Sequence, residues 1–162
     1  MKRMPALTLA ALLAGALVLS ATAIGAPTTL GSQTPVKAAF NKTLKRMILV
    51  DGRGFTLYMY TEDYGGKSTC YNDATYHCSK AWLPLRTTAA PRAGAGVNAS
   101  LLRVVKRTDG ASQVSYNGHP LYTAEGPNTF GLTPDKKPGQ IHGQGFASIW
   151  YVLSLKGAPI EK

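Results

Sequence analysis

The chain has 162 residues, 44% of them hydrophobic, 16% charged and 9% aromatic, with a formal net charge of +10. That length bounds it to one domain or two very small ones, and the apolar fraction excludes a disordered tail. Seventeen Gly and ten Pro are too many for a helical bundle and suit short strands joined by turns. After residue 26 no stretch is apolar for long enough to form a membrane-spanning helix.

Lys2 and Arg3 precede an apolar run over residues 6–26, centred on Leu7, Leu9, Leu12, Leu13, Leu17 and Val18. The run ends in the small residues Ala21, Thr22, Ala23, Gly25 and Ala26. This is the pattern of a signal peptide over 1–26, with cleavage fitting after Ala23 or after Ala26. The alternative is an uncleaved membrane anchor, for which the run is slightly short. No Cys precedes Cys70, so a lipid-anchored N-terminus is not expected. The expectation is a soluble protein exported to the periplasm or beyond. Residues 27–35 read as a flexible polar linker and 36–162 as one β-repeat domain.

The domain opens on a dense basic patch, Lys37, Lys42, Lys45 and Arg46, with no acid among them. Outside the cell such a balance reads as attraction to anionic envelope polymers or lipid headgroups, or to another envelope protein. Nucleic-acid binding would need interleaved exposed aromatics or a groove-reading helix, and export argues against it.

From Arg46 the chain alternates strand and turn signals. Residues 47–50 are apolar and β-prone, Asp51-Gly52-Arg53-Gly54 is a turn, and residues 55–60 are rich in strand formers. Period-2 alternation puts Phe55, Leu57 and Met59 on one face and Thr56, Tyr58 and Tyr60 on the other. Cys70 and Cys78, the two cysteines of the chain, have seven polar, turn-prone residues between them. An even count in an exported protein predicts a disulfide, which would stabilise by roughly 2–3 kcal/mol. A metal site using Cys70, His77 and Cys78 is the alternative, though adjacent His and Cys are awkward ligands for one ion.

Residues 78–82 and 98–102 look like single helical turns, and 86–97 form a Pro/Gly/Ala loop. Residues 101–106 read as a strand ending at Thr108-Asp109-Gly110. Residues 113–116 then meet Asn117-Gly118, the strongest short hairpin signal, and 119–122 return. The last strand is expected over 149–155. The halves echo each other, repeat one at about 46–85 and repeat two at about 101–157. Each has a strand, a Gly turn, a Leu-Tyr pair (Leu57-Tyr58, Leu121-Tyr122), a Gly-rich loop and a Trp before an apolar segment (Trp82, Trp150). One such repeat cannot bury its own sheet face. The fold class is therefore all-β and mostly antiparallel, two degenerate repeats packed as one small domain with one or two single-turn helices.

Residues 48–85 carry Leu-Val-Asp-x-x-Gly-x-Thr-Leu-Tyr, then Tyr60, Asp63, Cys70, Cys78, Trp82, Pro84 and Leu85. The second half carries Arg107-Thr108-Asp109-Gly110, Gln113-Val114, Tyr116-Asn117-Gly118, Pro120-Leu121-Tyr122, and Gly143-Gln144-Gly145 before Trp150. Together these resemble the bacterial lipoproteins with a Y-x-[FWY]-x-x-D motif, also called the secreted repeat of unknown function. The likeness runs over about residues 36–157 and implies an envelope or secreted protein whose activity is not established. The lipid-carrying Cys of many relatives is missing. The second copy reads Tyr122-Thr123-Ala124-Glu125-Gly126-Pro127, without the second aromatic and the Asp.

The intact first copy makes Tyr58, Tyr60 and Asp63 the ligand-binding candidates, since two phenols and a carboxylate can hold a sugar or a cation. The structural reading is that Asp63 caps the following turn while the tyrosines pack on the other repeat. Trp82 and Trp150 read as core anchors. His77, His119 and His142 lie in three different loops. With Met47 or Met59 they would suit haem or metal, but no two share a ligand spacing, so no cofactor and no metal is expected. Hydrolase signatures are missing, and Gly143-Gln144-Gly145 reads as a loop passing close to the sheet rather than a nucleotide loop. The expected role is a non-catalytic binding or interaction module of the envelope, not an enzyme. The rival is a small extracytoplasmic metal, haem or redox-binding protein.

Overall fold

Three short sheets, antiparallel but for one two-residue pairing, carry the fold in the computed structural model, which describes residues 33–73 and 77–161. The signal peptide read over 1–26 lies outside the described residues. The first sheet has the order β2-β1-β5, from β1 (Pro35–Asn41), β2 (Arg46–Asp51) and β5 (Arg92–Ala93). The second runs β10-β3-β9-β4, from β3 (Tyr58–Tyr60), β4 (Leu83–Pro84), β9 (Tyr122–Thr123) and β10 (Trp150–Val152). The third, β6-β7-β8, joins β6 (Leu102–Lys106), β7 (Ser112–Tyr116) and β8 (His119–Pro120). A one-turn helix α1 (Cys78–Ala81) and a 3-10 turn (Ala99–Leu101) stand where helical turns are predicted.

Backbone hydrogen bonds join the sheets to one another. Leu57 N donates to Leu49 O at 3.0 Å, Leu49 N to Leu153 O at 3.2 Å, and Val114 N to Leu85 O at 2.8 Å. The alternation of the central strands sorts side chains into two cores. Ile48, Val50, Tyr58, Tyr122, Trp150 and Val152 point into one, with Trp82. Leu49, Leu57, Met59, Leu121 and Leu153 point into the other, with Val114 and Tyr116.

The alternation read over residues 55–60 is realised, but the regular strand is β3 alone, preceded by an isolated bridge from Thr56 to Val50. The final strand likewise shortens to β10, continued by single bridges at Leu153 and Ser154. The predicted Asn117-Gly118 hairpin is present with both residues at positive φ, 49° and 82°. Two strands lie where none is expected. β1 begins at Pro35, one residue inside the linker read over 27–35, and pairs with β2 along its whole length. β5 lies within the loop read over 86–97 and runs parallel to β1. Lysine at 37 and proline at 35 and 91 mask both segments, because the pairing uses main-chain groups and Pro35 is tolerated as the first residue of β1.

Candidate functional site

The two Leu-Tyr pairs meet side by side, with Tyr58 of β3 directly opposite Tyr122 of β9. Both tyrosines are fully buried, so each phenol needs a partner inside the protein. Each finds it in the other half. Tyr58 Oη donates to Asp135 Oδ2 at 2.6 Å, and Tyr122 Oη donates to Asp63 Oδ2 at 2.8 Å. Asp63 Oδ1 also accepts from Thr69, at 2.7 Å from N and 3.0 Å from Oγ1. Asp135 Oδ1 accepts from His142 N at 2.9 Å, with the His142 ring 3.3 Å away.

Burial pushes both phenols far above their ordinary range, aided by the carboxylate each one faces. It also lifts Asp63 and Asp135 above the usual carboxylate range, against the hydrogen bonds that favour their charge. The Tyr122–Asp63 bond continues into a buried chain. Arg107 Nη1 donates to Ser68 Oγ at 2.6 Å, and the Ser68 hydroxyl lies 2.7 Å from Tyr122 Oη. Because the Tyr122 hydroxyl donates to Asp63, the Ser68 hydroxyl donates to Tyr122. The Arg107 side chain is wholly buried and also holds Gln113 Oε1 and Cys70 O, both at 2.8 Å.

The tryptophans of the two halves stack face to face, 3.8 Å apart and within 3° of parallel. Tyr58 meets Trp82 edge-on and Tyr122 meets Trp150 edge-on, at 5.3 Å and 5.1 Å. Tyr60 stacks on the free face of Trp150 at 4.4 Å, and Phe146 leans on Trp82 at 5.9 Å. The loop carrying Phe146 reaches them through Gly143, where a Cβ would lie 2.6 Å from Trp82 and 2.9 Å from Tyr58. The close passage read for this loop is what the structure has.

Beside the stack opens a cavity of about 340 Å³ walled by the rings of Tyr60, Tyr71, Trp82, Phe130, Phe146 and Trp150. Thr69, Asp73 and Cys78 add polar groups and sulfur to its rim. Its wall is braced at Tyr71, whose ring lies under the Arg107 guanidinium at 4.3 Å. It is braced again by the disulfide between Cys70 and Cys78, with an S–S distance of 2.03 Å. The predicted pairing is thus present, and the cysteines are not thiolate ligands in this state. A larger hollow near Thr34, Arg86 and Ser112 has no aromatic wall and no ionisable group other than that arginine.

The three ligand candidates read from the sequence are divided by the fold. Tyr58 is sealed inside and occupied by Asp135, and Asp63 is occupied by Tyr122 and Thr69. Tyr60 alone borders the cavity. Trp82 and Trp150 are core residues whose ring edges reach it. His77 bonds Asn72, His119 is half-buried with its pKa lowered by that burial, and His142 lies beside Asp135. Among the described residues no three His, Cys, Asp or Glu side chains converge to hold a metal ion. Tyr71, Phe130, Phe146, Arg107 and Asp135 complete the site without having been singled out. Asp135 stands 13 positions after Tyr122, whereas Asp63 stands five after Tyr58, so motif spacing hides the equivalence.

Fold and site define a small, disulfide-closed, mostly antiparallel β-protein with an aromatic cavity. Residues 103–154 match a family described as a secreted repeat of unknown function, so the resemblance read from the sequence holds over that segment. The matched segment contains Arg107, Tyr122, Asp135, Gly143 and Trp150. No curated protein and no solved structure matches the chain. A secreted family agrees with the expectation of export. No helix among the described residues is long and apolar enough to cross a membrane.

Proposed function

We propose that this protein is a non-catalytic binding module of the bacterial envelope, which receives a small ligand with a planar or apolar face in the aromatic cavity. The observation that carries the reading is the six-ring wall around about 340 Å³, a volume within the range of small-molecule sites. Rings on several sides with Thr69 and Asp73 at the rim give an apolar seat and polar groups to orient what sits there. The two carboxylates that burial has shifted, Asp63 and Asp135, each serve a tyrosine of the opposite half. That supports a structural use of them over proton transfer.

The test uses the neutral fluorophore 1-aminoanthracene, which is planar and is not drawn by the positive charge. Saturable binding of one equivalent, with energy transfer from Trp82 and Trp150, is expected. Phe130→Ala and Phe146→Ala should each weaken it about tenfold, roughly 1.4 kcal/mol, with thermal melting checked alongside. Non-saturable binding, or affinity unchanged in both variants, would rule the cavity out as the site.

A further inference from the structure

The turn between β1 and β2 projects Lys42 and Lys45 into solvent, with Arg46 at the first position of β2. All three are exposed, and none forms an ion pair among the described residues. Next to them, Phe40 and Met47 are direct cross-strand partners, so their side chains share one face. They are 61% and 43% exposed. That face is buried further along the same strands, at Val36 and Leu49, so the apolar stripe runs out of the core into water at the turn.

The turn is held rigid by Asn41. Its Oδ1 accepts from Thr43 N at 3.1 Å and Leu44 N at 2.9 Å, and its Nδ2 donates to Gly139 O at 3.0 Å. The last bond ties in the loop that bears the exposed Lys136 and Lys137. Glu161 is the acid at this end, sharing a shallow cleft with Arg46. The corner is thus a rigid apolar knob ringed by cations.

We infer that the β1–β2 turn docks on an anionic lipid surface. Phe40 and Met47 enter the boundary between headgroups and acyl chains, while Lys42, Lys45 and Arg46 face the headgroup phosphates. Charge alone would serve equally for an anionic polymer. The exposed phenylalanine and methionine favour the bilayer over a hydrated polymer, because in the bilayer they leave water. Apolar insertion and attraction to anionic headgroups add, so the two signals together bind more tightly than either alone.

The test is sedimentation of the protein, recovered from its extracytoplasmic fraction, with vesicles of phosphatidylglycerol and phosphatidylcholine or of phosphatidylcholine alone. Each cation near an anionic surface is worth about five-fold in affinity. Lys42→Gln with Lys45→Gln should therefore weaken binding to the anionic vesicles about 25-fold. Phe40→Thr with Met47→Thr, which keeps strand propensity, should weaken it at least about tenfold. All forms share the same segment ahead of residue 33, so any contribution from it cancels. Failure to sediment with anionic vesicles overturns the inference, as does equal binding to phosphatidylcholine alone. Full affinity in the threonine variant would also overturn it and assign the charge to a polyanion instead.

Discussion

Replacing Tyr58 by Phe removes one oxygen and leaves the ring, so the aromatic packing against Trp82 persists. What is lost is a 2.6 Å hydrogen bond to a carboxylate that is 2% exposed and a weaker 3.3 Å bond that the oxygen accepts from Gly143 N. Asp135 Oδ1 keeps its bond from His142 N, but Oδ2 loses the phenol. A bond to a charged buried acceptor is worth about 1.5–3 kcal/mol, so the variant should be about 2 kcal/mol less stable at pH 7.5. For a chain of this size that lowers Tm by about 7 °C. The pH dependence carries a sign. Burial already raises the Asp135 pKa, and the Tyr58 hydroxyl opposes that rise, so its loss pushes the carboxyl further up. Between the ordinary carboxyl value and the raised one, the folded state binds more protons than the unfolded, and stability falls as pH rises. The variant widens that window upward, so its deficit should shrink on going from pH 7.5 to pH 5. The His142 ring lies beside Asp135 in both forms and, like the Tyr58 hydroxyl, lowers the Asp135 pKa. Urea unfolding of both proteins at the two pH values is the assay. A deficit under about 0.5 kcal/mol at pH 7.5, or one equal at both, would refute the reasoning.

Gly143→Ala would place a methyl 2.6 Å from the Trp82 ring and 2.9 Å from Tyr58, both fully buried. A cost of about 1–3 kcal/mol is expected, read as a lower Tm with a changed near-ultraviolet tryptophan signal. Arg107→Lys keeps the charge but cannot reach Ser68, Gln113 and Cys70 O together. It should cost about 3 kcal/mol in urea unfolding, and a loss below about 1 kcal/mol would show the buried network to be dispensable.

Much of the architecture is legible in the sequence because it rests on local signals. The Asn117-Gly118 turn, the alternation through Tyr58 and the one-turn helix at Cys78 each depend on neighbouring residues. The site is less legible because its partners are remote. In the sequence Tyr58 stands with Tyr60 and Asp63 as a ligand candidate, yet its acceptor is Asp135, and Asp63 accepts from Tyr122. Nothing in the local pattern distinguishes a phenol facing a ligand from one facing a buried carboxylate. The cavity wall is similar, since Tyr71, Phe130 and Phe146 come from three loops without strand or helix periodicity. β1 escapes for a different reason: its lysine and its leading proline disguise a strand that is central in its sheet and is paired through main-chain groups.

The reciprocal tyrosine–aspartate bonds bear on the order in which the chain can fold. Tyr58 waits for an acceptor 77 positions ahead, and Asp63 waits for a donor 59 positions ahead. An emerging N-terminal half therefore holds a phenol and a carboxylate that it cannot bury at low cost. The Cys70–Cys78 loop can close early, but the core around it cannot close until the C-terminal third arrives. Contacts of such long range make folding slow and late. In a secreted protein this places completion of the core after delivery of the C-terminal third.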